Sequence, residues 1–186
     1  MERVLAPIAR RAALGALAAD VAHDAGNGLF GVIGLLDLIV PEQPLGTDRY
    51  ELLLSSAREL DTTLRPFLHF ARAGDDEGLQ SDLAVLAREA VALYRHGFRK
   101  TTPLAVSLPD EPARVAVPPS LAGQAVVHLL LAADVASSIA LAGTTVSVTP
   151  ARDPSLDEVI ARRIAIDHGG SLTREDGAYV LQLPAG

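Results

Sequence analysis

Apolar residues recur at spacings of three and four along the first forty positions. Leu14, Leu17, Val21, Ala25, Leu29, Ile33, Leu36 and Val40 form one stripe, the signature of an amphipathic helix. The pattern predicts one long helix over residues 4–40. Gly26, Gly28, Gly31 and Gly34 weaken its middle, each by about 1 kcal/mol relative to Ala. Pro41 and Pro44 end it, and residues 41–47 have the length of a turn between antiparallel helices. A second helix is predicted over 48–73, with Asp48 as N-cap and Glu51 placed for a capping box. Tyr50, Leu53, Ala57, Leu60, Leu64, Phe67 and Ala71 alternate steps of three and four, a heptad seam. Pro66 should bend or loosen the last turns.

The pattern changes after the polar stretch 74–81, which reads as a linker. Residues 82–96 read as a helix. Residues 104–108 and 113–117 read as short strands around an Asp110-Glu111-Pro112 turn. A strongly apolar helix is predicted over 119–138 and a strand over 144–149. A helix follows over 155–168, with Ser155 as N-cap and Gly169 just past its end. Residues 171–174 and 179–183 read as a hairpin around Glu175-Asp176-Gly177. The fold class is therefore α+β: a helical hairpin (1–73), a linker (74–81) and a small α/β sandwich (82–186). Two helices alone cannot bury two apolar stripes, so a homodimer with a four-helix bundle is expected.

Composition narrows the function. The chain is 49% apolar and 21% charged, a globular composition. It has no Cys, which excludes disulfides, thiolate nucleophiles and Cys-ligated metals. Twenty-three acids face sixteen bases, for a net charge of −7 without a basic cluster, so neither nucleic acid nor an anionic membrane is an expected partner. Arg3, Arg10 and Arg11 precede an Ala/Leu run that Asp20, His23 and Asp24 interrupt too early for a signal peptide. The longest uncharged stretch, Val115 to Ala133, contains Pro118, Pro119, Gln124 and His128 and is too short in its helical part to span a bilayer. A soluble, cytoplasmic protein is expected.

The candidate chemistry lies in Val21-Ala-His-Asp-Ala-Gly-Asn-Gly-Leu29. His23 falls between stripe positions and points away from the seam. Asn27 is one turn on, on the same face, and Asp24 is adjacent. An imidazole is a good nucleophile toward phosphorus near neutral pH. A neighbouring carboxylate can fix its tautomer and take up a proton, and an amide one turn away can orient water or bond a phosphoryl oxygen. A solvated helix histidine followed by an acid and loose glycines has the same spacing. His69, His96 and His168 read as structural. No metal-ligand spacing occurs. Arg49, Arg58, Arg65 and Arg72 on the second helix form either a solvated face or a docking strip for an acidic partner.

These residues carry a resemblance. Val21-Ala-His23-Asp24-x-x-Asn27-x-Leu29 resembles the H-box of bacterial sensor histidine kinases, in which an acid follows the phosphoacceptor His and an Asn or Thr comes three residues after the acid. The family usually has Pro where this chain has Gly28. Phe67-Leu-His-Phe-Ala-Arg72 resembles the end of that family's second helix, and residues 124–133 resemble its N-box helix. Residues 160–172 and 179–184 resemble the segments that follow the second glycine box. The departures concern the nucleotide. Where the N-box supplies Asn side chains to phosphates and Mg²⁺, this chain has His128 and Ala132. No Asp-x-Gly-x-Gly follows the strand at 144–149, and no second glycine box precedes Ile160.

The resemblance implies a degenerate kinase-type ATPase domain behind an intact phosphoacceptor hairpin, similar to histidine phosphotransferases. His23, Asp24 and Asn27 would be the site residues, and phosphoryl groups would pass between the aspartates of response-regulator receiver domains. No ATP and no other cofactor is expected on this chain; Mg²⁺ would sit in the receiver. Two alternatives stay open: a non-catalytic dimeric module that binds a kinase or a regulator, and a receiver phosphatase using the same Asp24 and Asn27.

Overall fold

A computed structural model describes residues 2–39, 46–71, 80–97 and 103–186, without side chains for 2–17, 19, 20, 66, 69–71, 96 and 97. The chain is α+β, with five helices and a mixed sheet among the described residues. Helix α1 (Glu2–Asp37) and helix α2 (Thr47–Ala71) form the hairpin. Helix α2 continues through position 66, so the proline there does not interrupt it. Strand β1 (Ser81–Asp82), helix α3 (Leu83–Gly97), strand β2 (Ala105–Ser107), strand β3 (Arg114–Val115) and helix α4 (Pro119–Ala132) come next. Strands β4 (Ser138–Ala142) and β5 (Thr145–Thr149), helix α5 (Leu156–Asp167) and strands β6 (Ser171–Glu175) and β7 (Ala178–Gln182) complete the chain. The linker stretch 74–79 lies outside the described residues, whereas Ser81 belongs to β1 and donates to the Val117 carbonyl (2.9 Å).

The main sheet has the order β2-β4-β5-β7-β6. Strand β2 is parallel to β4; the other pairings are antiparallel. Alternation sets its two faces. Ile139, Leu141, Val146, Val148, Tyr179, Leu181 and Leu172 are buried and share a core with α3, α4 and α5. The two strands expected around Asp110 do not pair with each other. Strand β3 pairs with β1 in a separate two-stranded ladder, and β2 joins β4. Helix α5 starts as its sequence predicts, with Ser155 Oγ accepting the Glu158 N–H (3.2 Å). The β6–β7 turn uses positive φ at Asp176 and Gly177.

The largest departure from the expected elements is at residues 133–142. The apolar run reads as one helix to 138, but α4 ends at Ala132 and Ser138–Ala142 is a central strand. Asp134 at φ 58° turns the chain out of the helix. Buried Tyr94 of α3 fixes that turn: its hydroxyl donates to the Asp134 carbonyl (3.1 Å) and accepts the Ala136 N–H (2.9 Å). Tyr94→Phe should destabilise the fold by about 1–3 kcal/mol, because it strands one backbone donor and one acceptor beside the core. Urea unfolding of the variant checks this.

A charged cluster ties α5 to the sheet. Buried Glu158 accepts from Arg162 (2.7 Å) and from Arg174, and Arg174 lies over the Tyr179 ring, 5.3 Å from its centre. Burial pushes the Glu158 carboxyl up, but hydrogen bonds and charge attraction from the two arginines outweigh it and hold the group below the usual carboxylate range. A carboxyl with a depressed folded-state pKa stabilises the fold above its unfolded value and loses that contribution as pH falls through the folded value. Unfolding midpoints should therefore fall below about pH 4.3, the ordinary glutamate value. Glu158→Gln should lower the midpoint at neutral pH and flatten this acid limb.

The hairpin rests on the sandwich through α1 and α2 against α3, and Phe67 of α2 joins the sandwich core. Val21 and Thr63 are buried in the hairpin. His23 is half a turn beyond Val21. None of the helices among the described residues is long and apolar enough to cross a membrane.

Candidate functional site

The site is built on the middle of α1, where small residues let α2 approach. A Cβ at Gly28 would lie 3.5 Å from Leu60 Cδ1, and one at Gly31 would lie 3.7 Å from Ser56 Oγ. These contacts set the hairpin register: residue 28 is level with 60, and residue 31 with 56. Around that seam, the 100° step per residue divides the outward surface of α1 into two sectors. Leu29, Ile33 and Leu36 are exposed on one side, next to a groove of about 540 Å³ lined by Val32, Ala57, Leu60, Leu64 and Leu68. His23, Asn27 and Phe30 are exposed on the other side, and Phe30 is 77% exposed. Beside them runs a polar groove of about 670 Å³, which includes Asp24, Asn27, Ser56, Arg58, Glu59 and Thr63 in its walls.

His23 and Asn27 meet as their spacing predicts. The Asn27 Nδ2 amide donates to His23 Nε2 (3.2 Å). An amide nitrogen can only donate, so in this contact Nε2 is the acceptor, the role it takes when Nδ1 carries the ring proton. Asp24 is half-buried and turns into the polar groove, which it shares with Asn27. The three residues thus lie within two turns of one helix, His23 and Asn27 exposed and Asp24 half-buried. The sequence places Asn27 on the right face; its contact with Nε2 itself is a structural finding.

The other histidines fall elsewhere. His168 Nδ1 donates to the Ile164 carbonyl (2.9 Å) at the end of α5, a structural role. The side chains of His69 and His96 lie outside the described residues. His128 is fully buried, and its Nδ1 donates to Asp157 Oδ1 (2.7 Å) in the first turn of α5. Asp157 carries no motif, so nothing in the sequence marked this pair. Tyr179 anchors the segment between β5 and α5: its hydroxyl donates to the Arg152 carbonyl (3.1 Å) and accepts the Arg152 N–H (3.2 Å). Among the described residues, no cluster of three His, Asp or Glu side chains could hold a metal ion.

No known protein family and no curated protein matches the chain. Among solved structures, a bacterial phosphotransferase determined at 1.7 Å is similar over 90% of this chain and 94% of its own, with 16% identity and a TM-score of 0.39. The histidine kinase AdeS of Acinetobacter baumannii is similar over 88% of this chain and 98% of its own, with 11% identity and a TM-score of 0.44.

Proposed function

We propose that the chain is a histidine phosphotransferase of a two-component phosphorelay. The observation that carries this reading is an exposed imidazole whose Nε2 is held as an acceptor by Asn27, on a helix sector separate from the apolar one. A receiver domain brings a phosphoaspartate to this sector. The Nε2 lone pair leaves its hydrogen bond and attacks phosphorus. The N–P bond forms, the acyl O–P bond breaks, and its electron pair departs with the aspartate carboxylate. The phosphorylated ring then releases its Nδ1 proton, for which Asp24 is the adjacent base. A second receiver's carboxylate reverses the steps. Phosphoryl transfer is mostly positioning and charge stabilisation, and a histidine on a packed helix meets the first need. Mg²⁺ belongs to the receiver's acidic pocket.

The apolar sector has a different task in this proposal. Leu29, Ile33 and Leu36 remain about half exposed in a single chain, and a second hairpin would cover them in a four-helix bundle. The sandwich serves as a platform rather than as a nucleotide site. At the position where the kinase resemblance expects a nucleotide ligand, His128 is buried and bonded to Asp157, and Ala132 has no donor atom for a metal. Calorimetry with ATP and Mg²⁺ should accordingly give no heat of binding up to millimolar nucleotide. Saturable ATP binding would refute the degenerate-domain part of the proposal.

The phosphotransfer reading is tested by incubating the chain with phosphorylated receiver domains from the same genome. Acid-labile, base-stable label should move to the chain and on to a second receiver. A chain that binds receivers and never takes up label would be a binding module instead.

A further inference from the structure

A neutral imidazole carries its proton on one nitrogen and a lone pair on the other. The sequence offers Asp24, the adjacent carboxylate, as the group that chooses between them. The structure gives that place to another residue. Among the described residues His23 makes one hydrogen bond, and its donor is the Asn27 Nδ2 amide, 3.2 Å from Nε2. Asp24 is half-buried, lines the polar groove and makes no hydrogen bond to the ring.

An amide N–H on Nε2 has two consequences. It favours the ring with its proton on Nδ1, because a protonated Nε2 would meet a second donor. It also covers the lone pair that phosphorylation must use. A bond present only in the ground state slows the step that breaks it. The donor can assist only if the product offers it a better acceptor. A phosphoryl group on Nε2 does so, with negatively charged oxygens beside the atom that the amide already touches. Hydrogen bonds to charged acceptors are about twice as strong as neutral ones. The amide can also follow. The Asn27 side chain is exposed, and a Cβ at neighbouring Gly26 would meet nothing within 4 Å outside its own stretch of helix. A change of rotamer therefore moves the donor without moving α1.

We propose that Asn27 is a positioning residue that exchanges acceptors. Its amide holds the Nε2 lone pair in the resting chain and passes to a phosphoryl oxygen when that lone pair enters the N–P bond. The acyl O–P bond breaks with its electron pair leaving on the carboxylate, and Asn27 keeps its own protons. The second half rests on the phosphotransfer reading above; the first stands on the resting geometry.

The test uses the full chain and nuclear magnetic resonance of its ring and amide nitrogens at about pH 8.5, well above the usual histidine value, so that the ring is neutral. Nδ1 should carry the ring proton in wild type. Asn27→Ala should lower the ratio of Nδ1–H to Nε2–H rings about two- to tenfold, the size of one net hydrogen bond. Asn27→Asp, of the same shape but an acceptor only, should bring the proton to Nε2. Asp24→Asn should change the ratio less than Asn27→Ala does. Phosphoramidate, a small donor that needs no receiver, then loads His23, and the Asn27 side-chain amide protons should shift on loading. With the receiver that labels the chain fastest, the phosphoryl share on His23 at equilibrium should fall about three- to tenfold in Asn27→Ala.

A wild-type ring protonated on Nε2, or a ratio that Asn27→Ala does not move, would overturn the resting half even if label still reaches His23, and phosphotransfer would stand. Amide protons that ignore loading, or an equilibrium share unchanged in Asn27→Ala, would overturn the exchange. If no receiver labels wild-type His23, the phosphotransfer reading fails and takes the exchange with it, while the ring ratio still decides the resting half. Circular dichroism checks folding, and Asn27→Ala carries the test if Asn27→Asp does not fold.

Discussion

His23→Ala should abolish phosphotransfer while leaving the fold and receiver affinity nearly unchanged. The imidazole is exposed and bonded to Asn27, one turn away on the same helix surface. Truncating an exposed side chain outside the core changes stability by no more than about 0.5 kcal/mol. The chemical loss should be total, since His23 is the one imidazole among the described side chains of the hairpin. His168 is committed to the Ile164 carbonyl, and His128 is buried. Residual transfer through His23→Ala would move the carrier elsewhere and remove the basis of the proposed function. The measurement is label transfer from phosphorylated receiver, with circular dichroism as the control for folding.

Ile33→Asp should convert the proposed dimer to monomer at micromolar concentration. In a single chain Ile33 is 45% exposed beside Leu29 and Leu36, so a carboxylate there meets water and the hairpin keeps its internal packing. In a four-helix bundle the same carboxylate would be buried against apolar side chains without a partner. An unpaired buried charge costs several kcal/mol, which corresponds to a loss of more than about a thousandfold in dimer affinity. Leu60 would be a poorer choice, because it packs against Gly28 in the hairpin seam and its loss would disturb the single chain as well. Sedimentation of wild type and variant reads the result; a wild-type monomer at these concentrations would contradict the dimer.

The hairpin is legible in the sequence because its determinants are local. The steps of three and four from Leu14 to Leu36 give α1, and the seam from Tyr50 to Phe67 gives α2. Ser155 and the Glu175-Asp176-Gly177 turn set element ends through side-chain and backbone chemistry confined to a few residues. The errors arise where distant residues decide. Residues 133–138 continue an apolar run that reads as helix, and Tyr94, some forty residues earlier, closes the turn that ends α4 and leads into β4. The pairing of β1 with β3 and of β2 with β4 is likewise set by the sandwich as a whole.

The same division holds at the site. The one-turn spacing of His23 and Asn27 could be read directly, whereas the groove shared by Asp24 and Arg58 depends on the register between two helices. His128 stood out as a replaced ligand position, but its bond to Asp157 needs the approach of α5 to α4.

The central claim is that His23 carries the phosphoryl group on a ring nitrogen, and tandem mass spectrometry of the chain after brief exposure to a phosphorylated receiver tests it most directly. The account predicts a phosphorylated peptide spanning residue 23, with the added mass on His23 and lost in acid. Phosphate found on another residue, or a fully unmodified chain beside a dephosphorylated receiver, would contradict it.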